Sequence, residues 1–374
     1  MLAAYILRTG NQADVYLSHL DAKGALMGPR VRVNHVAGEA AGHAQAPPQV
    51  AVGPDGTVYV AWLTQRAVEG RRFPASDIRL ARSEDGGKTF QPAIMVNEEA
   101  GIPTSHHFHN LAVGPDGTVY VSWLDATARD RAALNAKLTP SHHHHGGAAS
   151  DEDPLPGTEL HVARSIDGGR SFDPGVVVAR GTCQCCRTAL AVSQTGILFV
   201  GWRHIFEGRI RDIALARSAD GGRTFSEPVI VHEDAWMIDG CPHSGPAISV
   251  EAAGGVHVVW YTGADGREGV YHAFSEDAGQ SFGPSTALTI NVPVAQVSAA
   301  PAARRGAWLA WEHPLRDRVY VLRVEGSVAD ASMADSLSGR APAVATAGTL
   351  TAFTWTDDGR VQMRGFEAAI EETM

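Results

Sequence analysis

The sequence predicts an all-β protein, a six-bladed β-propeller of four-stranded antiparallel blades. Two internal repeats and the composition predict it. The chain has 374 residues with 40 Gly and 20 Pro, and only 19% of it is charged. That balance suits many short strands joined by turns, and is poor for a helical bundle.

The first repeat is Ser-x-Asp-x-Gly-x-Ser/Thr-Phe. It occurs as SEDGGKTF from Ser83, SIDGGRSF from Ser165, SADGGRTF from Ser218 and SEDAGQSF from Ser275. Each copy follows an alternating strand such as DIRLAR or DIALAR. The chemistry is that of a tight hairpin turn. The Asp carboxylate accepts backbone N–H groups, Gly supplies positive φ, and the aromatic ring plugs the blade.

The second repeat is a Gly turn leading into an apolar strand that ends in Trp. GPDGTVYVAW, GPDGTVYVSW, SQTGILFVGW and EAAGGVHVVW carry it, with weaker copies GAWLAW and TLTAFTW. The six closing residues are Trp62, Trp123, Trp202, Trp260, Trp311 and Trp355. Units of roughly 45–80 residues with four strand-like segments each are propeller blades. Six tryptophans argue for six blades in a single domain, 1–374. The N-terminal strands around Asp14–His19 and Arg30–Val33 are expected to complete the last blade, whose inner strands come from 342–366. A seventh blade follows if LAAYIL is another inner strand.

The four boxes resemble the Asp-box (BNR) repeats of the sialidase superfamily, and the resemblance covers most of the chain. It implies a propeller fold with the boxes as turns on the face opposite the active site. Fold alone does not assign an activity.

The blade repeat places the stretch Cys183-Gln184-Cys185-Cys186, which holds three of the four cysteines. Aligning LAV at 111–113 with LAV at 190–192 and ISV at 248–250 brings three segments into phase. Cys183 falls level with Cys241, and Cys185 with His106 and His243. Innermost strands line the central channel, so the segments leading into them form its mouth. Cys183, Cys185, Cys186, Cys241, His243, His106, His107 and His109 are therefore candidate metal ligands from three consecutive blades. Thiolates with imidazoles select copper, zinc or iron over magnesium and calcium. Copper is the preferred ion and zinc the alternative. A disulfide, for example Cys183 with Cys241, and buried inert thiols are the competing readings. Arg187 next to the thiols would favour thiolate, or it and Arg203 would bind a small anionic ligand.

A long insertion, 125–157, follows Trp123 and emerges on the same face. It contains His142, His143, His144 and His145, a tract suited to secondary metal capture or to a plain polar loop.

The family resemblance implies a rival activity, exo-sialidase-like glycoside hydrolysis. Sialidases use three arginines for the substrate carboxylate, an acid/base Asp and a Tyr–Glu nucleophile pair, usually with an Arg-Ile-Pro motif before an early inner strand. This sequence departs from that pattern. Arg72-Phe73-Pro74 lies on a different connection, and Arg187-Thr188-Ala189 lacks the Pro. Asp125 and Asp239 are candidate acids by location, and Tyr261 and Glu312 end strands near that face. A protein-interaction scaffold is the third reading.

The formal net charge of −10 argues against nucleic acid as a partner. No apolar run approaches the ~20 residues of a membrane span. MLAAYILRTGNQ lacks the features of a secretory signal, while the family resemblance favours a periplasmic or extracellular protein.

Overall fold

The structure, a computed structural model, describes residues 1–42, 46–69, 74–138, 157–303, 305–348, 350–358 and 360–367. Among them are seven antiparallel sheets, the blades of a β-propeller. Blade 2 contains Gln49–Val52, Val58–Arg66, Ala75–Ser83 and Ile94–Met95, with Ala40–Ala41 also pairing to its second strand. Blade 3 contains His106–Val113, Val119–Asp125, Thr158–Ser165 and Val176–Thr182. Blade 4 contains Ala189–Val192, Leu198–Arg203, Ile213–Ser218 and Val229–Ile230, and blade 5 Ala247–Val250, Val256–Thr262, Gly269–Ser275 and Thr286–Ile290. Blade 6 contains Val297–Pro301, Ala307–His313, Arg318–Glu325 and Val328–Ser338. The first strands of blades 2 to 7 neighbour one another in turn around the channel.

All six tryptophans of the repeat lie on second strands. In blades 4 and 5 these strands are buried on both faces, which is why LFVGWR and VHVVWYT read as nearly continuous apolar runs. Trp62, Trp123, Trp202 and Trp260 are almost wholly enclosed. Truncating one to Ala would cost about 3–5 kcal/mol.

The ring has seven blades, the count that the sequence allowed beside the preferred six. Blade 7 contains Arg340–Ala347, Leu350–Asp357 and Arg360–Glu367, with Trp355 on the middle strand, so these are first, second and third strands. The N-terminal strands, which were expected to complete this blade, do not pair with it. Leu2–Thr9, Gln12–His19 and Val31–Arg32 form a sheet of their own, blade 1. Leu2–Thr9 pairs with Gln12–His19 along its whole length across the Gly10-Asn11 turn. Its place in the repeat is shown by Asn34, whose Oδ1 accepts the Val15 N–H at 2.8 Å as Asn97 Oδ1 accepts that of Ile78 at 2.7 Å. Gln12–His19 is thus a third strand and LAAYIL a second strand, without the Trp that marks the other blades. Blades 7 and 1 are neighbours. Gly365 passes Ala22 so closely that a Cβ would lie 2.2 Å from the Ala22 carbonyl oxygen.

The four box turns share one hydrogen-bond pattern. In the first, Ser83 Oγ donates to Asp85 Oδ1 at 2.7 Å and accepts the Gly87 N–H at 2.8 Å. Thr89 donates its N–H to Oδ1 at 2.9 Å and its hydroxyl to Oδ2 at 2.6 Å. Asp167, Asp220 and Asp277 repeat it.

The insertion after Trp123 begins as a helix, α1 (Thr127–Leu138), with the Thr127 N–H donated to Asp125 Oδ1 at 2.7 Å. His142 to His145 lie outside the described residues, as do Arg72 and Phe73. Among the described residues no helix is long and apolar enough to cross a membrane.

Candidate metal centre

Cys183 follows the last strand of blade 3, and the chain turns at once toward the first strand of blade 4. The turn is closed by the Cys186 N–H on the Cys183 carbonyl at 3.3 Å, and tied down by the Cys183 N–H on the Arg203 carbonyl at 2.9 Å. The three side chains point into one space. Cys183 Sγ lies 3.5 Å from Cys185 Sγ and 3.5 Å from Cys186 Sγ. All three residues are buried, whereas Gln184 points outward and accepts from Arg129 of α1 at 2.7 Å.

Cys241 and His243 reach the same place from the connection between blades 4 and 5. The Sγ atoms of Cys185 and Cys241 and a ring nitrogen of His243 all lie within 4.8 Å of one another, as do the sulfurs of Cys183, Cys185 and Cys186. Cys185 belongs to both groups. Cys241 and His243 are exposed. His243 has φ of 53°, a left-handed conformation uncommon outside Gly and Asn and typical of residues held in place by their surroundings.

Three contacts hold the two segments together. Gln296, at the start of blade 6, donates its amide to the His243 carbonyl at 2.7 Å and accepts Arg187 Nη2 at 2.7 Å. Arg211 Nη1 donates to Cys183 Sγ at 3.3 Å and to the Gly240 carbonyl at 2.5 Å. Gly245 packs directly on the backbone of Arg187. Gln296 and Gly245 carry no chemical signature and are invisible in the sequence. Arg211 is visible there as one of several arginines on its connection, without its thiolate partner.

The electrostatics favour one thiolate among the three buried sulfurs. Hydrogen bonds from Cys185 and Cys186 hold the Cys183 thiol far below its usual range, with Arg211 adding to them. Donating to Cys183 raises Cys185. Burial, with the same donation, pushes Cys186 up to about 12. All four cysteines are free, and no disulfide joins Cys183 to Cys241.

The histidines of blade 3 lie elsewhere. His106 is already in a strand, paired with Asp125, whereas the first strands of blades 4 and 5 begin only at Ala189 and Ala247. The segments 183–186 and 241–244 are therefore free to converge, and the His106 segment is not. His106 Nδ1 donates to the Ser76 carbonyl at 2.8 Å, and Nε2 lies 3.3 Å from Asp125 Oδ2. Burial alone would lower its pKa, but the carboxylates of Asp125 and Asp77 outweigh that and push it up to about 9. His107 Nδ1 meets Ser76 Oγ at 3.3 Å. His109 is buried with Nε2 3.2 Å from the Ala61 carbonyl, and burial lowers it to about 4. None of the three joins the cysteine groups.

The two arginines proposed for an anion are engaged within the protein. Arg203 is 1% exposed. It donates to the carbonyls of Ser244, Arg211 and Tyr261 at 3.1, 2.7 and 2.6 Å, and lies over the Trp236 ring at 4.8 Å. Arg187 Nη2 is taken by Gln296, with the Val297 carbonyl at 3.4 Å.

The candidate acids are also occupied. Asp125 accepts from Trp123 Nε1 at 3.0 Å beside His106, and exposed Asp239 pairs with Arg209 at 2.9 Å. Glu312 accepts the N–H groups of Gln296 and Ala341 at 3.2 and 2.9 Å. Tyr261 has a different partner, donating to Glu268 Oε1 at 3.4 Å. Burial and Glu268 push its phenol up to about 12, so it is held neutral. A separate cleft of about 460 Å³, lined by Arg66, Asp77, Arg79, Glu99, Thr104 and His106 among others, includes none of the cysteines.

Solved structures share this architecture. The Hadza microbial sialidase Hz136 superposes with a TM-score of 0.57 at 15% identity, over 96% of this chain and 74% of that one. The fold is that of a sialidase-like β-propeller. The intramolecular trans-sialidase from Ruminococcus gnavus gives 0.56 at 11% identity, over 86% of this chain and 94% of its own. The Penicillium chrysogenum α-L-arabinanase gives 0.54 at 13%, over 86% and 92%. No protein-family model matches the chain, and no curated protein sequence matches it. At these identities the sialidase-like likeness is one of fold alone.

Proposed function

We propose that this sialidase-like propeller binds a transition metal at its channel mouth, for metal capture or redox chemistry. The observation that carries the reading is the meeting of Cys185, Cys241 and His243 from two connections, against the buried sulfurs of Cys183 and Cys186. Separate loops have been brought together to place four sulfurs and one imidazole. That donor set selects soft and borderline ions. Copper as Cu(I) is the preferred ion because thiolates dominate, and zinc is the alternative. Asp-box turns on the other face serve the scaffold.

Metal analysis of untagged protein, as purified and after loading with Cu(I) or Zn(II), tests the reading. Wild type should retain copper or zinc through gel filtration. The Cys183→Ser/Cys185→Ser/Cys186→Ser variant should not. Because those residues are buried, Cys241→Ser with His243→Asn, at exposed positions, provides a variant expected to fold. Wild type that retains neither metal would overturn the proposal.

The second reading, hydrolysis of an acidic sugar, is favoured by the likeness to sialidases and by the Tyr261–Glu268 contact. The neutral phenol, the occupied Arg203 and the cysteines at the mouth count against it.

A further inference from the structure

Resting on the metal-binding reading, we infer that the centre holds two ions, bridged by the Cys185 thiolate and unequal in access. An inner ion takes Cys183, Cys185 and Cys186. An outer ion takes Cys185, Cys241 and His243.

The geometry points to two ions because the five residues form two groups that share only Cys185. Two ligands of one ion at ~2.3 Å cannot be more than about 4.6 Å apart. Two of the inner sulfur pairs, at 3.5 Å, meet that bound, and the third lies within 4.8 Å. The outer three, within 4.8 Å of one another, come close to it. Cys183 and Cys186 do not fall within the group of Cys241 and His243, so one ion does not collect all five.

Burial ranks the two positions. Cys183, Cys185 and Cys186 are 1%, 5% and 2% exposed, while Cys241 and His243 face solvent. The inner ion is enclosed by the turn, and the outer ion is the one that a soft chelator or a thiol-bearing donor can reach. Ions enter and leave through the outer position.

Anaerobic titration with Cu(I) against bathocuproine disulfonate, with native mass spectrometry for stoichiometry, tests this. Wild type should bind two ions, and excess chelator should remove one at least roughly tenfold faster than the other, since the inner ion waits on a local opening. Cys241→Ser with His243→Asn should bind one ion, released at the slow rate. Cys185→Ser should hold neither tightly. A single ion in wild type, two ions in the Cys241/His243 variant, or one tightly held ion in Cys185→Ser would each overturn the bridged pair while leaving metal binding intact. Equal removal rates would overturn the ranking. Protein that binds no Cu(I) at all would instead overturn the underlying metal reading. Should Cys185→Ser fail to fold, the Cys241/His243 variant still decides between one ion and two.

Discussion

A Cβ at Gly245 would lie 1.9 Å from the carbonyl oxygen of Arg187. Only a glycine lets the connection carrying Cys241 and His243 press against the turn carrying Cys183, Cys185 and Cys186. Gly245→Ala must push backbone from backbone, at about 1–3 kcal/mol. The expected result is a lower melting temperature together with weaker retention of the outer ion. Gly283→Ala, where the added methyl meets nothing nearer than 3.5 Å, should change neither.

Arg203 is a structural residue. Its guanidinium satisfies three backbone carbonyls, of Ser244 and Arg211 on two connections and of Tyr261 in the second strand of blade 5. Arg203→Met leaves them without that donor, at ~1–3 kcal/mol for each that stays buried and unpaired. Arg203→Lys should rescue little, because an ammonium cannot reproduce the planar fork. Urea denaturation of both variants checks this, and a loss within the error of the measurement would refute the assignment.

His106 sets an alkaline limit. Its folded pKa, raised from the ordinary 6.5 to about 9, means that the folded state binds the proton more tightly than the unfolded chain. The resulting stabilisation is complete below pH 6.5 and is lost as pH rises through about 9. A shift of this size corresponds to stability on the order of 3 kcal/mol. Melting temperature followed from pH 6 to 10 should fall in wild type, and His106→Gln should start lower and fall less.

The box turns set an acid limit. Hydrogen bonds from Thr89, Thr224 and Ser281 hold Asp85, Asp220 and Asp277 below the ordinary carboxylate value of 3.8. Depressed carboxylates stabilise the fold above that value, and the contribution is lost as pH falls below it. Thermal melts between pH 5 and 2 should show the loss, with Asp220→Asn giving a shallower acid limb.

Tyr261 separates the two functional readings. Its contact with Glu268 is long, at 3.4 Å, so Tyr261→Phe should cost no more than about 1 kcal/mol. An aryl sialoside panel should show no turnover by wild type. Turnover that disappears in Tyr261→Phe would restore the glycosidase reading.

The sequence alone determined the architecture and part of the centre. The Ser-x-Asp-x-Gly turns and Trp-ending strands are local signals, because a turn needs its glycine and a doubly buried strand its unbroken apolar run. Alignment on those strands also placed Cys185 level with His243, and the two do meet. It failed for His106, because the alignment counts residues and cannot tell that blade 3 starts pairing earlier than blades 4 and 5. The choice between six blades and seven was likewise left open by the sequence. The N-terminal hairpin lacks the repeat's Trp, so nothing local marks it as a sheet of its own rather than an addition to blade 7. Only the tertiary structure decided the closure of the centre. Gly245 against Arg187, Gln296 between Arg187 and His243, and Arg211 on Cys183 are contacts between blades, made by residues whose types carry no signal until the ring brings them together.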